Sequence, residues 1–161
     1  MSECGPMGQS PRAMDEGVLH ADVTLEYPFT RSTGPVVGAF LTALREGFIV
    51  GIKRADGTVL VPPCEYDPAT AEPLTEIVEV GDAGVVISWC WNGEPRARQP
   101  FDSPYAWALI RLDGADTAML HAVRADGAEA LQTGLRVRAV WRTEREGHIH
   151  DIECFEPESA S

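Results

Sequence analysis

The sequence contains a single lysine, no CxxC pair and no apolar run long enough to cross a bilayer. Each scarcity excludes something. The longest apolar runs, Tyr105 to Ile110 and Val85-Val86-Ile87, fall far short of the roughly 20 residues a membrane-spanning helix needs. Met1 to Asp22 mixes Gly, Pro, Ser and acidic residues, without the apolar stretch of a signal peptide. Neither a membrane partner nor export is expected. Cys4, Cys64, Cys90 and Cys154 recur at no regular interval, which argues against a disulfide framework and for reduced thiols in a cytoplasmic protein. Cys90 and Cys154 fall in strand-like segments, where a free cysteine behaves as a small buried hydrophobe. Positive charge is scarce as well. Thirteen basic residues face 25 acidic ones, for a net charge of −12, and no part of the chain is basic. Such a body repels phosphate backbones, so nucleic acid is a disfavoured partner.

What remains is a chain of 161 residues with 44 % hydrophobic content, enough for one domain with an appendage. Residues 1–22 read as a flexible leader. Residues 23–47 read as an extended segment, held out of helix by Pro28, followed by a docking helix. Thr33 is its expected cap and Pro35 lies in its first turn. Val36, Val37, Phe40, Leu41 and Leu44 form its apolar stripe, and Gly47 ends it. Residues 48–73 read as a hairpin module: Phe48–Lys53 and Thr58–Val61 flank the turn signal Arg54-Ala55-Asp56-Gly57, and prolines follow. About 25 residues cannot own a core.

Residues 74–157 carry five strands and one short helix, and residues 158–161 form a tail. Thr75–Val80 and Gly84–Trp91 read as one long first strand bent at Gly81-Asp82-Ala83-Gly84. Tyr105–Leu112, Thr117–Val123, Leu135–Arg142 and His148–Phe155 are the others. A helix capped by Asp126 and running through Gln132 separates the third from the fourth. That order is the OB-fold, a small Greek-key barrel; a β-sandwich usually has more strands.

Chemistry-bearing motifs are few. There is no Gly-x-Ser-x-Gly, no spaced Cys/His pair and no phosphate loop, so no self-contained active site is expected. His148 and His150 would share one strand face, a spacing that metals use, yet no third ligand follows and the pair reads as solvent-facing. Arg136, Arg138 and Arg142 would share the outer face of the fourth strand. This stripe suits phosphate groups of a ligand or acidic groups on a partner, or is simply the solvated side of a barrel. Trp89 and Trp91 are expected in the core, while Phe101 and Tyr105, beside Pro100 and Pro104, suggest a stiff partner-facing lobe. Stacking on single-stranded nucleic acid is the alternative, with Arg96 and Arg98 offset by Glu94 and Asp102.

Six stretches in order carry a resemblance. They are Phe40 to Gly47, Gly57 to Pro63, Gly84 to Trp89, Tyr105 to Asp113, Leu131 to Val137, and Phe155-Glu156-Pro157. Together they resemble the rubredoxin-like zinc-ribbon plus OB-fold accessory proteins that accompany thiolases and related acyl-CoA enzymes, over roughly residues 25–157. The resemblance implies a mostly β fold made of an N-terminal helix, a zinc-ribbon-like hairpin and a five-stranded OB-fold barrel with a short helix between strands 3 and 4. It implies a noncatalytic subunit that shapes the substrate channel of a thiolase-like, lipid-transfer-type or aldolase partner. A coenzyme A thioester would be a ligand shared with that partner. Candidate contacts with the partner or its acyl-CoA are Phe40, Phe101, Tyr105, Arg136 and Arg138. The four ribbon ligand positions read Lys53, Asp56, Asp67 and Thr70 in place of cysteines, so the ribbon is degenerate and no zinc or other cofactor is expected.

Overall fold

The computed structural model describes residue 21, residues 23–28, residue 30 and residues 32–158. The rest of the expected leader, with Cys4 and His20, and residues 159–161 of the tail lie outside the described residues. Two units are distinguished, residues 1–32 and Thr33–Ser161. In the first, residues 23–28 form no regular element, and Val23, Leu25 and Tyr27 are exposed.

The second unit begins with α1 (Pro35–Glu46), which starts on a proline and stops at Gly47 in the left-handed region, φ 90°. Its buried stripe is Val36, Phe40, Ala43 and Leu44. Thr33 does not cap it. Gly34 is the N-cap and has no side chain to offer, so the acceptor comes from 29 residues away. Glu65 Oε1 takes the N–H groups of Val36 and Val37, each at 3.0 Å. Gly34, at φ 82°, makes room for it, since a Cβ there would lie 2.3 Å from Glu65 Oε1.

The hairpin follows as β1 (Ile49–Lys53) and β2 (Val59–Leu60), turned at Gly57, φ 89°. β3 (Glu76–Val80) then pairs antiparallel along the other side of β1, from Ile49↔Val80 to Lys53↔Glu76. This corrects the single bent strand expected from the sequence. The chain breaks at Gly81-Asp82, where Gly81 donates to the Asp113 carbonyl and Asp113 donates to that of Ala83. Glu76–Val80 therefore completes a three-stranded sheet, ordered β2-β1-β3. The free edge of β2 is closed by the turn before β6. Asp116 Oδ2 accepts from Val59 N–H at 2.7 Å, and Thr117 Oγ1 accepts from Val61 N–H at 2.7 Å.

The barrel consists of β4 (Ala83–Asn92), β5 (Tyr105–Leu112), β6 (Met119–Val123), β7 (Arg136–Trp141) and β8 (Ile152–Pro157). It closes in the order β4-β5-β6-β8-β7, with β6 and β8 parallel and the other pairs antiparallel. This is the expected OB-fold arrangement. β4 serves both neighbours, and Gly84 pairs with Leu112 on one side and Val137 on the other. A Cβ there would stand 2.4 Å from the Arg111 carbonyl oxygen, which explains a glycine inside a core strand. Between β6 and β7 the expected helix shrinks to a 3₁₀ turn, Ala128–Ala130, whose N-cap is Gly127 without a side-chain bond; Asp126 does not cap it.

One core runs through all of these parts. Phe40 and Leu44 of α1, Ile49 and Val61 of the small sheet, and Val86, Ile110, Val137 and Phe155 of the barrel belong to the same buried cluster. A second cluster of Val36, Ile52 and Leu74 seals α1 onto the small sheet. The hairpin module is stable because it borrows burial from its neighbours.

Candidate functional site

Around the four positions expected from the sequence as ribbon ligand positions, the side chain of Arg54 reaches from the β1–β2 turn to Asp67 in the loop before β3. Its Nε donates to Asp67 Oδ2 at 2.7 Å and its Nη2 to Asp67 Oδ1 at 3.2 Å. Its Nη1 reaches Asp56 Oδ2 at 2.7 Å and Thr58 Oγ1 at 3.2 Å. Asp67 is only 7 % exposed, and its Oδ1 also accepts the N–H groups of Ala69 and Thr70. The Arg54 hydrogen bond and these amides pull the Asp67 carboxyl down to about 2. Asp56 also lies below its ordinary value, chiefly because the Thr58 hydroxyl and amide donate to it. Lys53 is held by Glu76, Nζ to Oε1 at 2.9 Å. A tetrahedral zinc shell needs deprotonated soft donors. Here one position is an ammonium, one a hydroxyl, and the two carboxylates already bracket a fixed cation. These residues do not fit a zinc ion.

The barrel surface holds the other candidates. Arg136 makes a bidentate pair with Asp113, both distances 2.7 Å, and a third bond to Glu158. Arg138 bonds to Asp82 and to Glu158. The stripe exists on β7, but its guanidinium groups are already bound to carboxylates, so neither is a bare cation for a phosphate. Arg142 lies past the end of β7 and has no ion pair among the described residues.

Burial removes two expected contact residues from the surface. Phe40 faces the core from α1, and Tyr105 is fully buried, its ring edge-on to Phe101 at 5.5 Å and to Trp107 at 5.4 Å. The reason is the loop after β4, which folds Phe101 over the start of β5. Phe101 itself is half-buried and carries Arg124 over its ring at 5.0 Å. Arg124 is also bound to Glu153 and Glu156. Trp89 and Trp91 are half-buried against the core. Cys154 is buried, which pushes its thiol up to about 11, whereas Cys90 is exposed, contrary to expectation.

His148 and His150 are exposed, as expected, but not because they alternate on a strand. Residues Ile149–Asp151 form a 3₁₀ turn capped by His148, and β8 starts after it. The organiser is Asp151, 3 % exposed, whose carboxylate accepts the N–H groups of Glu146, Gly147 and His148 at 2.8–3.0 Å. Burial opposes its charge, yet these amides hold it below the ordinary carboxylate value. The two rings stand 4.4 Å apart. No group of three or more His, Cys, Asp or Glu side chains among the described residues could hold a metal.

Sequence reasoning missed the outer face of β5 and β6. Leu109 and Leu120 are paired across the two strands and are 41 % and 60 % exposed. Ile87 is exposed where β4 shifts register against β5. Beside Leu120 opens a groove of about 170 Å³, floored by Trp107, His121, Ile149 and Ile152 and rimmed by Pro100 and Arg142. His121 is buried and titrates below an ordinary imidazole because of that burial. The signal was present in the sequence: Leu109 and Leu120 occupy outward positions where polar residues are the rule.

These features define an OB-fold barrel with an appended helix and small sheet, bearing an apolar outer face. Residues 77–142 match the family model for the C-terminal OB-fold domain of ChsH2. Among solved structures, an Ltp2–ChsH2 (DUF35) aldolase contains a chain with 22 % identity and a TM-score of 0.56, matched over 79 % of this chain and 98 % of that one. A DUF35-family protein of unknown function from Sulfolobus solfataricus matches at 21 % identity and TM-score 0.55, over 67 % and 77 %. At such identities the likeness is one of fold. No curated protein matches by sequence. No helix among the described residues is long and apolar enough to cross a membrane.

Proposed function

We propose that this chain is a noncatalytic accessory subunit that docks on a larger lipid-transfer-type or thiolase-like enzyme and shapes the entrance for an acyl-CoA thioester. The observation that carries this reading is the apolar face of Ile87, Leu109 and Leu120 beside the Trp107 groove. Large outward aliphatic side chains next to a half-buried tryptophan are the usual make-up of an interface centre. The fold shared with a chain of the Ltp2–ChsH2 aldolase supports an enzyme as the occupant. Phe101 packs the loop that brings Pro100 to the groove against Tyr105, and Arg142 at the groove supplies a guanidinium for a coenzyme A phosphate.

The test is co-expression with the thiolase- or lipid-transfer-type enzyme encoded beside this chain. The two are expected to co-migrate on a sizing column. Leu109→Glu with Leu120→Glu should separate them while leaving the thermal midpoint of the subunit nearly unchanged, because neither residue is buried. Clean separation of the unaltered pair, with full activity in the enzyme alone, refutes the reading.

A further inference from the structure

We infer that Arg54 is the cross-link of the small sheet, a guanidinium clasp that joins the two turns of the module where a ribbon would use a metal ion. The core that β1, β2 and β3 share with their neighbours takes nothing from the turn at residues 54–57 or the loop at residues 67–73, so these two segments need a link of their own. The satellite cluster of Val36, Ile52 and Leu74 packs one side of the module. The main core takes Ile49, Val50, Val61 and Val80 from it, and its turn end lines a polar groove of Lys53, Arg54, Asp56, Asp67, Thr70 and Glu76. Of these groups only Arg54 touches both turns, reaching Asp56 in the β1–β2 turn and Asp67 in the loop before β3. The planar fork fits the Asp67 carboxylate through two nitrogens and leaves the third for Asp56, a geometry lysine cannot reproduce. Asp67 passes the constraint on, because its Oδ1 fixes the backbone at Ala69 and Thr70.

The clasp is independent of the proposed docking role and has its own signature. Zinc bound to the native state would raise the thermal midpoint with the logarithm of the free zinc concentration above its Kd, and a chelator would reverse the rise. The full chain, prepared in zinc-supplemented medium, is expected to carry no stoichiometric zinc by elemental analysis. Its midpoint should be unmoved by EDTA or added zinc. Arg54→Met should lower the midpoint by several degrees, and Arg54→Lys should recover only part of that loss. Asp67→Asn provides a second handle if Arg54→Met does not fold.

Asp67 bonds to Arg54, lies near Asp56, and shares its groove with the charged groups Lys53, Glu72 and Glu76. Its folded value of about 2 lies below the ordinary 3.8, so its contribution is complete above that value and is lost as pH falls towards 2. Asp67→Asn should therefore flatten the acid limb of the stability profile between about pH 4 and 2. Stoichiometric zinc, a chelator-induced fall in midpoint, or an Arg54→Met variant as stable as the parent with an unchanged acid limb in Asp67→Asn would overturn the inference.

Discussion

Removing the Glu65 carboxylate tests how α1 is held to the rest of the unit. Val36 and Val37 donate to a single oxygen, and no side chain near the helix start substitutes for it. Losing a side-chain cap costs about 1 kcal/mol, and losing a negative charge at a helix N-terminus costs about 0.3–1 kcal/mol more. Glu65→Ala should therefore destabilise by about 1.3–2 kcal/mol, or about 5–7 °C in midpoint for a unit of this size. Glu65→Gln keeps the acceptor oxygen and loses only the charge, so it should cost less than half as much. Gly34→Ala attacks the same contact from the other side, by strain at φ 82° and by a Cβ driven into the carboxylate. Because both changes break one interaction, the double variant should fall short of the sum by about 1 kcal/mol. Thermal denaturation gives the energies, and hydrogen exchange at the Val36 and Val37 amides locates them. Strict additivity, equal losses in Ala and Gln, or unchanged exchange at those two amides would refute the reasoning.

Two further outcomes follow from burial. Tyr105 Oη has no hydrogen-bond partner within the described chain, so Tyr105→Phe keeps the ring packing and should leave the midpoint equal or slightly higher, with partner binding unchanged. Tyr105→Ala, by contrast, should cost about 3–5 kcal/mol as a cavity in the barrel wall. Ellman's reagent on the native protein should label Cys90 readily and spare Cys154, whose thiol stays protonated until the barrel unfolds. Equal labelling rates for the two would count against the placement of β8.

The barrel was legible because its strands alternate cleanly. Ala106, Ala108, Ile110 and Leu112 point inward from one parity of β5, as the period-2 pattern says, while outside the barrel Gly47 and Asp56-Gly57 mark the end of α1 and the β1–β2 turn. What escaped was decided by distant chain. Thr33 looked like a cap because it is local, while the real acceptor, Glu65, arrives through a loop. Glu76–Val80 read as part of the first barrel strand because nothing nearby shows that β1 is its partner. The His148–Asp151 segment read as strand because three amides converging on one carboxylate leave no periodic trace. Tyr105 has the parity of the outer face, and only Phe101, folding back over it, makes it core. The ligand positions Asp56 and Asp67 were found on the ribbon resemblance, but the cation between them sits at Arg54, a position the resemblance does not mark.

The continuity of the core has a consequence for cooperativity. Phe40, Leu44, Ile49 and Val61 belong to the same buried cluster as Val86 and Phe155, so the helix and small sheet cover apolar surface of the barrel. A chain begun at Leu74 would leave that surface bare, and unfolding of the intact unit should register as one calorimetric peak, with no separate melting of the hairpin.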